Sequence, residues 1–174
     1  MGQHLLVVMA QRLSQPMANV FLYAPQNFHN ICLLSRSLES FGQKDCYVFD
    51  PHGLVRERYG KYRTRELRAT SRGAFEMIRW LRVENPTEFF ANPPGRVLAT
   101  VAGPQATPLS SFQLNSTDVI LFGSERRGLP PEVAAASVAS LTIPTCGRTQ
   151  SLNLATAVSI VLYELQRQLE HCIR

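Results

Sequence analysis

Leu141-Thr142-Ile143-Pro144, followed shortly by Gln150-Ser151-Leu152-Asn153-Leu154-Ala155-Thr156-Ala157, reads as a short buried strand, a polar loop and the Ser/Asn-capped start of a helix. A second corner lies just upstream. There the apolar run 119–122 gives way to Gly123-Ser124-Glu125-Arg126-Arg127-Gly128-Leu129-Pro130. Two strand-to-loop corners this close in sequence can build one small-molecule pocket at the carboxyl edge of a sheet. The pair points to a cofactor site.

The remaining chain supplies strands and helices around that edge. Residues 17–24 form a buried-strand pattern ended by Pro25. Asn27 is placed to cap a helix running to about Ser40, and Phe41-Gly42 supplies the stop. Ile31, Leu34, Leu38 and Phe41 recur at helical spacing and form its buried stripe, with Arg36 on the opposite side near His29 and Ser40. Residues 46–49 read as a second strand, 73–83 as an amphipathic helix, 97–101 as a third strand, 118–122 as a fourth and 141–143 as a short fifth. Loops are marked by Asn85-Pro86 and Asn92-Pro93-Pro94-Gly95. A last helix over 153–171 buries Leu154, Val158, Leu162, Leu165 and Leu169. Strands alternating with helices predict an α/β fold, a mainly parallel sheet with helices on both faces. The 174 residues fit one domain, with 1–16 as a short extra element.

Composition narrows the class. A hydrophobic share of 45% is that of a globular chain. The apolar run 5–10 is too short to span a bilayer, and no Lys or Arg precedes it as in a signal peptide. Cys32, Cys46, Cys146 and Cys172 form no CxxC pair, so neither a metal site nor a disulfide framework is expected. Reduced thiols suit a cytoplasmic protein. The net charge of +5 is concentrated. Arg56, Arg58, Lys61, Arg63, Arg65, Arg68, Arg72, Arg79 and Arg82 face only Glu57, Glu66 and Glu76 over that stretch. Such a cluster is either a solvated helix face with local ion pairs or a phosphate-binding surface.

The 123–128 turn has glycines at the spacing of a nucleotide phosphate loop, but Leu129-Pro130 stands where Lys-Ser/Thr is needed, and Glu125 repels phosphate. No GxGxxG follows the first strand, which argues against a dinucleotide site. A carboxylate beside a tight turn suits a ribose, an amino group or a cation, or else it braces the loop. Taken singly, Arg36 is also an exposed helix residue, and Ser151 and Asn153 are helix caps.

Taken together, these blocks resemble the signature of the SpoU-type RNA 2′-O-ribose methyltransferases of the SPOUT superfamily. The first block is Asn30-Ile31-Cys32-Leu33-Leu34-Ser35-Arg36 with Phe41-Gly42. The second is Leu121-Phe122-Gly123-Ser124-Glu125 with Gly128-Leu129. The third is Ile143-Pro144, then Ser151-Leu152-Asn153-Leu154, ending in Val161-Leu162-Tyr163-Glu164. Ala69-Thr70-Ser71-Arg72-Gly73-Ala74 is similar to the family's small-residue segment, and the likeness spans about 17–168. The chain departs from the pattern at His29, where the family often has Gly, at Ala155, where it often has Ser, and in the loop after Pro144, which lacks the commoner Met.

The resemblance implies a deep trefoil knot made by the C-terminal segment threading a loop, a homodimer, and bent S-adenosylmethionine held by the knot loops. Carried over, Thr100, Val101, Gly123, Glu125, Ile143, Ser151 and Leu152 bind the cofactor. Arg36, Asn30, Ser151 and Asn153 carry catalysis. RNA contact falls to Arg56, Arg58, Lys61, Arg63, Arg65, Arg126, Arg127 and Arg148. The expected activity is methylation of a ribose 2′-hydroxyl, on tRNA first, the anticodon loop included, and on rRNA as the alternative. A catalytically silent RNA-binding module and a nucleotide-binding protein unrelated to RNA are the competing classes. Retention of Asn30, Arg36, Glu125, Ser151 and Asn153 speaks against the former, and the failed phosphate-loop patterns against the latter.

Overall fold

The computed structural model describes residues 18–55, 61–149 and 151–171; the element expected within 1–16 lies outside them, as do Arg56 and Arg58. Seven strands form one sheet: β1 (Asn19–Tyr23), β2 (Asp45–Phe49), β3 (Arg79–Arg82), β4 (Val97–Thr100), β5 (Thr107–Pro108), β6 (Val119–Phe122) and β7 (Ala139–Thr142). Their spatial order is β3-β2-β1-β6-β4-β7-β5, and every neighbouring pair is parallel. The helices are α1 (Phe28–Ser40), α2 (Lys61–Ser71), α3 (Ala74–Met77), α4 (Pro86–Ala91), α5 (Pro131–Ala135) and α6 (Leu154–His171).

Alternation along β1 sorts the two faces. Val20 and Leu22 join Ile31, Leu34 and Leu38 of α1 and Val158, Leu162 and Leu165 of α6 in the larger core. Phe21 points the other way, into a smaller core with Val97, Val119, Leu121 and Val133, closed by Phe89 and Phe90 of α4. Helices thus cover both faces, as the alternating pattern predicts. Leu169 is only half-buried, because it lies near the end of α6.

α1 starts and stops where its signals lie. Oδ1 of Asn27 accepts from the His29 N–H, and Gly42 at φ +74° ends the helix in the left-handed region. The expected helix over 73–83 is not formed as such. It stops at Met77, Ile78 turns extended, and Arg79–Arg82 become β3, paired with β2. Sheet pairing overrides helical periodicity here. Trp80 packs on Phe75 and donates its Nε1–H to the Phe75 carbonyl, while Arg79 clamps Asp45. Within the basic segment, Lys61–Ser71 form helix α2, in keeping with a helix face there, and the two-residue β5, which was not expected, adds the other edge. No helix among the described residues is long and apolar enough to cross a membrane.

Candidate active site

The chain runs outward from β1 to β2 and β3, then returns to place β4 on the other side, with β6 between β1 and β4. Open parallel sheets hold ligands outside their carboxyl ends at such a reversal. The loops leaving β4, β6 and β7 emerge there side by side. Together they line an open cleft of about 970 Å³. Thr100, Val101, Gly123, Glu125, Ile143, Ser151 and Leu152 all lie on its wall, though they come from separate parts of the chain. So do Arg126 and Arg127. Sequence reading missed Ala102, Gly103 and Pro104 on the same wall; the Gly-Pro turn after β4 was the available signal.

The 123–128 turn closes on itself. Ser124 and Gly128 exchange both backbone hydrogen bonds, at 3.1 and 2.9 Å. A Cβ on Gly123 would lie 2.1 Å from the Gly128 carbonyl carbon and 2.3 Å from the Leu129 nitrogen, so only glycine lets the turn fold back so closely. Thr100 spends its hydroxyl proton on the Leu121 carbonyl at 2.7 Å, which ties β4 to β6 beneath the cleft.

The Glu125 carboxylate braces the head of α1. Its Oε2 accepts from the Gln26 N–H at 2.8 Å, and its Oε1 from the Asn27 N–H at 3.1 Å and from Asn30 Nδ2 at 2.9 Å. A carboxylate at a helix N-terminus is favourably placed against the helix dipole. Asn30 in turn accepts from Asn153 Nδ2 at 2.9 Å, and Oδ1 of Asn153 accepts from the Ala155 N–H at the start of α6. The first, second and third sequence blocks are thus joined by one hydrogen-bonded chain, Glu125–Asn30–Asn153.

Arg36 stands apart. It is exposed on α1, about 9 Å along the axis from Asn30 at 1.5 Å per residue, and is not on the cleft wall. No hydrogen bond or ion pair ties it to a described residue. Ser37 beside it shares a 2.6 Å hydrogen bond with Ser159 of α6. Arg65, Arg126, Arg127 and Arg148 are exposed, Arg148 in the loop after β7. Lys61 and Arg63 belong to α2, but their side chains lie outside the described residues. Two cations of the basic stretch are already paired, Arg79 with Asp45 and Arg82 with Glu84. Among the described residues no His, Cys, Asp and Glu cluster could hold a metal ion.

The cleft is large enough for a nucleoside-sized ligand. Its volume is in the range of cofactor pockets, and its wall mixes loop backbone with Phe122, Leu129, Ile143 and Leu152. Comparisons with known proteins identify relatives of the chain. The tRNA (cytidine(34)-2'-O)-methyltransferase of Escherichia coli K12 is 31% identical over 159 residues, 88% of this chain and 94% of that one. The tRNA (guanosine(18)-2'-O)-methyltransferase of Aquifex aeolicus is 27% identical over 154 residues, 87% of this chain and 69% of its own. The fold matches the SpoU methyltransferase AviRb of Streptomyces viridochromogenes, solved with AdoMet, at a TM-score of 0.71 and 22% identity, covering 92% of this chain and 61% of that one. Residues 17–163 match the model of the SpoU rRNA Methylase family, and the chain belongs to that family.

Proposed function

We propose that this protein is an S-adenosylmethionine-dependent 2′-O-methyltransferase of tRNA. The observation that carries the reading is the convergence of three strand-end loops on one cleft, with the Glu125–Asn30–Asn153 chain joining the loop after β6 to the loop after β7 through the head of α1. Thr100, Val101, Gly123, Glu125, Ile143, Ser151 and Leu152 hold the cofactor, Glu125 chiefly by fixing the turn that presents the others. Bound S-adenosylmethionine supplies a methyl group on a positive sulfur, open to attack by a ribose 2′-oxygen.

The chain's own task is to hold that oxygen in line and to make it more nucleophilic. Orientation supplies about 7–11 kcal/mol of such a barrier. Arg36 grips the neighbouring phosphate and stabilises negative charge growing on the 2′-oxygen, because a guanidinium keeps its proton at neutral pH. Asn30 orients the site, and Ser151 and Asn153 position the substrate at the head of α6.

Arg36 is not on the cleft wall of its own chain, and this supports a homodimer in which a second copy's Arg36 completes the site. Arg65, Arg126, Arg127 and Arg148 carry the RNA backbone, with Arg56, Arg58, Lys61 and Arg63 continuing the surface. The chain is read as one domain whose C-terminal segment threads a loop as a trefoil knot. The cytoplasm is where such an enzyme meets its substrate. Of the two relatives, the more similar acts at position 34, so the anticodon loop is the first target to examine.

The test is transfer of labelled methyl from S-adenosylmethionine to total tRNA and, separately, to rRNA from cells lacking the protein, with the modified nucleoside mapped by mass spectrometry. Label at one tRNA ribose supports the reading. Label in rRNA alone moves the substrate, and label in neither, with no cofactor binding, overturns it.

A further inference from the structure

A second cavity, of about 530 Å³, opens beside the cofactor cleft. Gln26, Asn27, Phe28, His52, Glu125 and Arg126 line it. The two cavities tile the carboxyl edge of the sheet. The first lies over β6, β4 and β7, the second over β2, β1 and β6. They share one wall, the Glu125-Arg126 ridge of the loop after β6.

From this geometry we infer that the second cavity receives the target nucleotide, with its base between Phe28 and His52 and its phosphate on Arg126. The inference rests on the methyltransferase reading and deepens it, and several features of the site carry it.

The cavity is no anion hole. The Gln26 and Asn27 N–H groups at the head of α1, which would otherwise attract phosphate, are already taken by the Glu125 carboxylate. A carboxylate on the wall disfavours a phosphate deep inside and accepts from a donor such as a ribose hydroxyl or a base amino group. Arg126 stands exposed at the rim, where a flanking phosphate would lie.

The aromatic wall suits a base. Phe28 is half-buried and anchored on the core side by Phe75, with ring centroids 6.5 Å apart. Unstacked RNA bases are bound by stacking on such rings and on imidazoles. His52 is presented by a rigid turn. Asp50 is buried and accepts from the Leu54 N–H at 2.8 Å and the Val55 N–H at 2.9 Å, and the Gly53 N–H returns to the Asp50 carbonyl. Gly53 takes φ +68°, which closes the turn and leaves His52 exposed at its tip. Locking a loop this tightly to present one exposed imidazole is expected of a binding element.

A nucleotide seated here would have its ribose at the shared ridge, against the cofactor cleft. Transfer across the ridge forms the bond between methyl carbon and 2′-oxygen as the bond from carbon to sulfur breaks. The hydroxyl proton leaves to solvent, and the sulfur keeps the electron pair.

The test compares the full-length protein with H52A, F28L and F28Y in steady-state methylation of unmodified tRNA, together with cofactor affinity by calorimetry and thermal midpoints. A stacked base lost to H52A or F28L lowers kcat/KM for tRNA by about tenfold or more. S-adenosylmethionine affinity stays within twofold and the thermal midpoint is kept. F28Y retains the ring and loses less than F28L. Variants that bind cofactor normally and methylate tRNA like wild type overturn the inference while the enzyme stands. A wild-type protein that neither binds S-adenosylmethionine nor transfers methyl removes both.

Discussion

Asn153 donates its side-chain amide to Oδ1 of Asn30 at 2.9 Å, joining the heads of α6 and α1 across 123 positions of sequence. Asn30 is almost fully buried, and its own amide goes on to Glu125. Removing it leaves polar groups on both sides without their partner. Asn30→Ala should therefore cost about 1–3 kcal/mol in urea unfolding and weaken cofactor binding as the cleft loops loosen. Unchanged stability together with unchanged affinity would show that the bridge does not hold the cleft.

Gly123 and Gly128 delimit the same turn but should respond differently to alanine. A Cβ on Gly123 collides with backbone on the other limb of the turn, whereas one on Gly128 meets nothing within 4 Å and suffers only from φ +66°. Gly128→Ala should cost about 1–2 kcal/mol of stability. Gly123→Ala must open the turn, and calorimetry should find cofactor affinity reduced at least tenfold.

Arg36 offers a clean separation of turnover from folding. It is exposed and tied to no described residue, so Arg36→Lys should leave the unfolding midpoint where it is. Turnover should fall by about 10²-fold or more, since an ammonium lacks the planar fork that holds phosphate and developing alkoxide together. A turnover near wild type would rule out the electrostatic role given to Arg36.

Salt dependence should sort the arginines. Each exposed arginine that neutralises a phosphate contributes about one to the slope of log affinity against log salt. Arg65→Ala, Arg126→Ala and Arg148→Ala should each flatten the slope for tRNA. Arg79→Ala should not, because Arg79 is already committed to Asp45. Filter binding at several salt concentrations checks both.

Acid sensitivity has a local source in α6. Hydrogen bonding from Arg167, assisted by Gln168, holds Glu164 below the usual carboxylate range, against the opposing effect of burial. Its contribution to stability is complete above the unfolded value of about 4.5 and is lost as pH falls through the lower folded value. Glu164→Gln should therefore show a shallower loss of stability than wild type between pH 5 and pH 3 (on the order of the unfolded carboxylate range) in urea titrations.

Much of the site was legible before any coordinates. Residues 30–36, 121–129 and 143–154 each carry their own local signals, caps, glycines and apolar runs, and all the residues from them that were expected at the cofactor line one cleft. Glu125 shows the boundary. Its presence at the turn was readable, but its use was not, because its three donors come from residues 26, 27 and 30 on a different strand-helix corner. The failure over 78–83 has the same origin. Helical spacing is a local property, whereas β3 exists because β2 offers it an edge and Asp45 a charge.

The sequence alone determined most of the element periods (not those of β3 and β5), the capped starts of α1 and α6 and the order of the family's blocks, since each depends on residues a few positions apart. Tertiary structure decided which corners meet, that Asn30 links Glu125 to Asn153, and that a second cavity headed by Phe28 and His52 shares a wall with the first. These follow from the strand order β2-β1-β6-β4-β7, a matter of long-range pairing that no local pattern encodes.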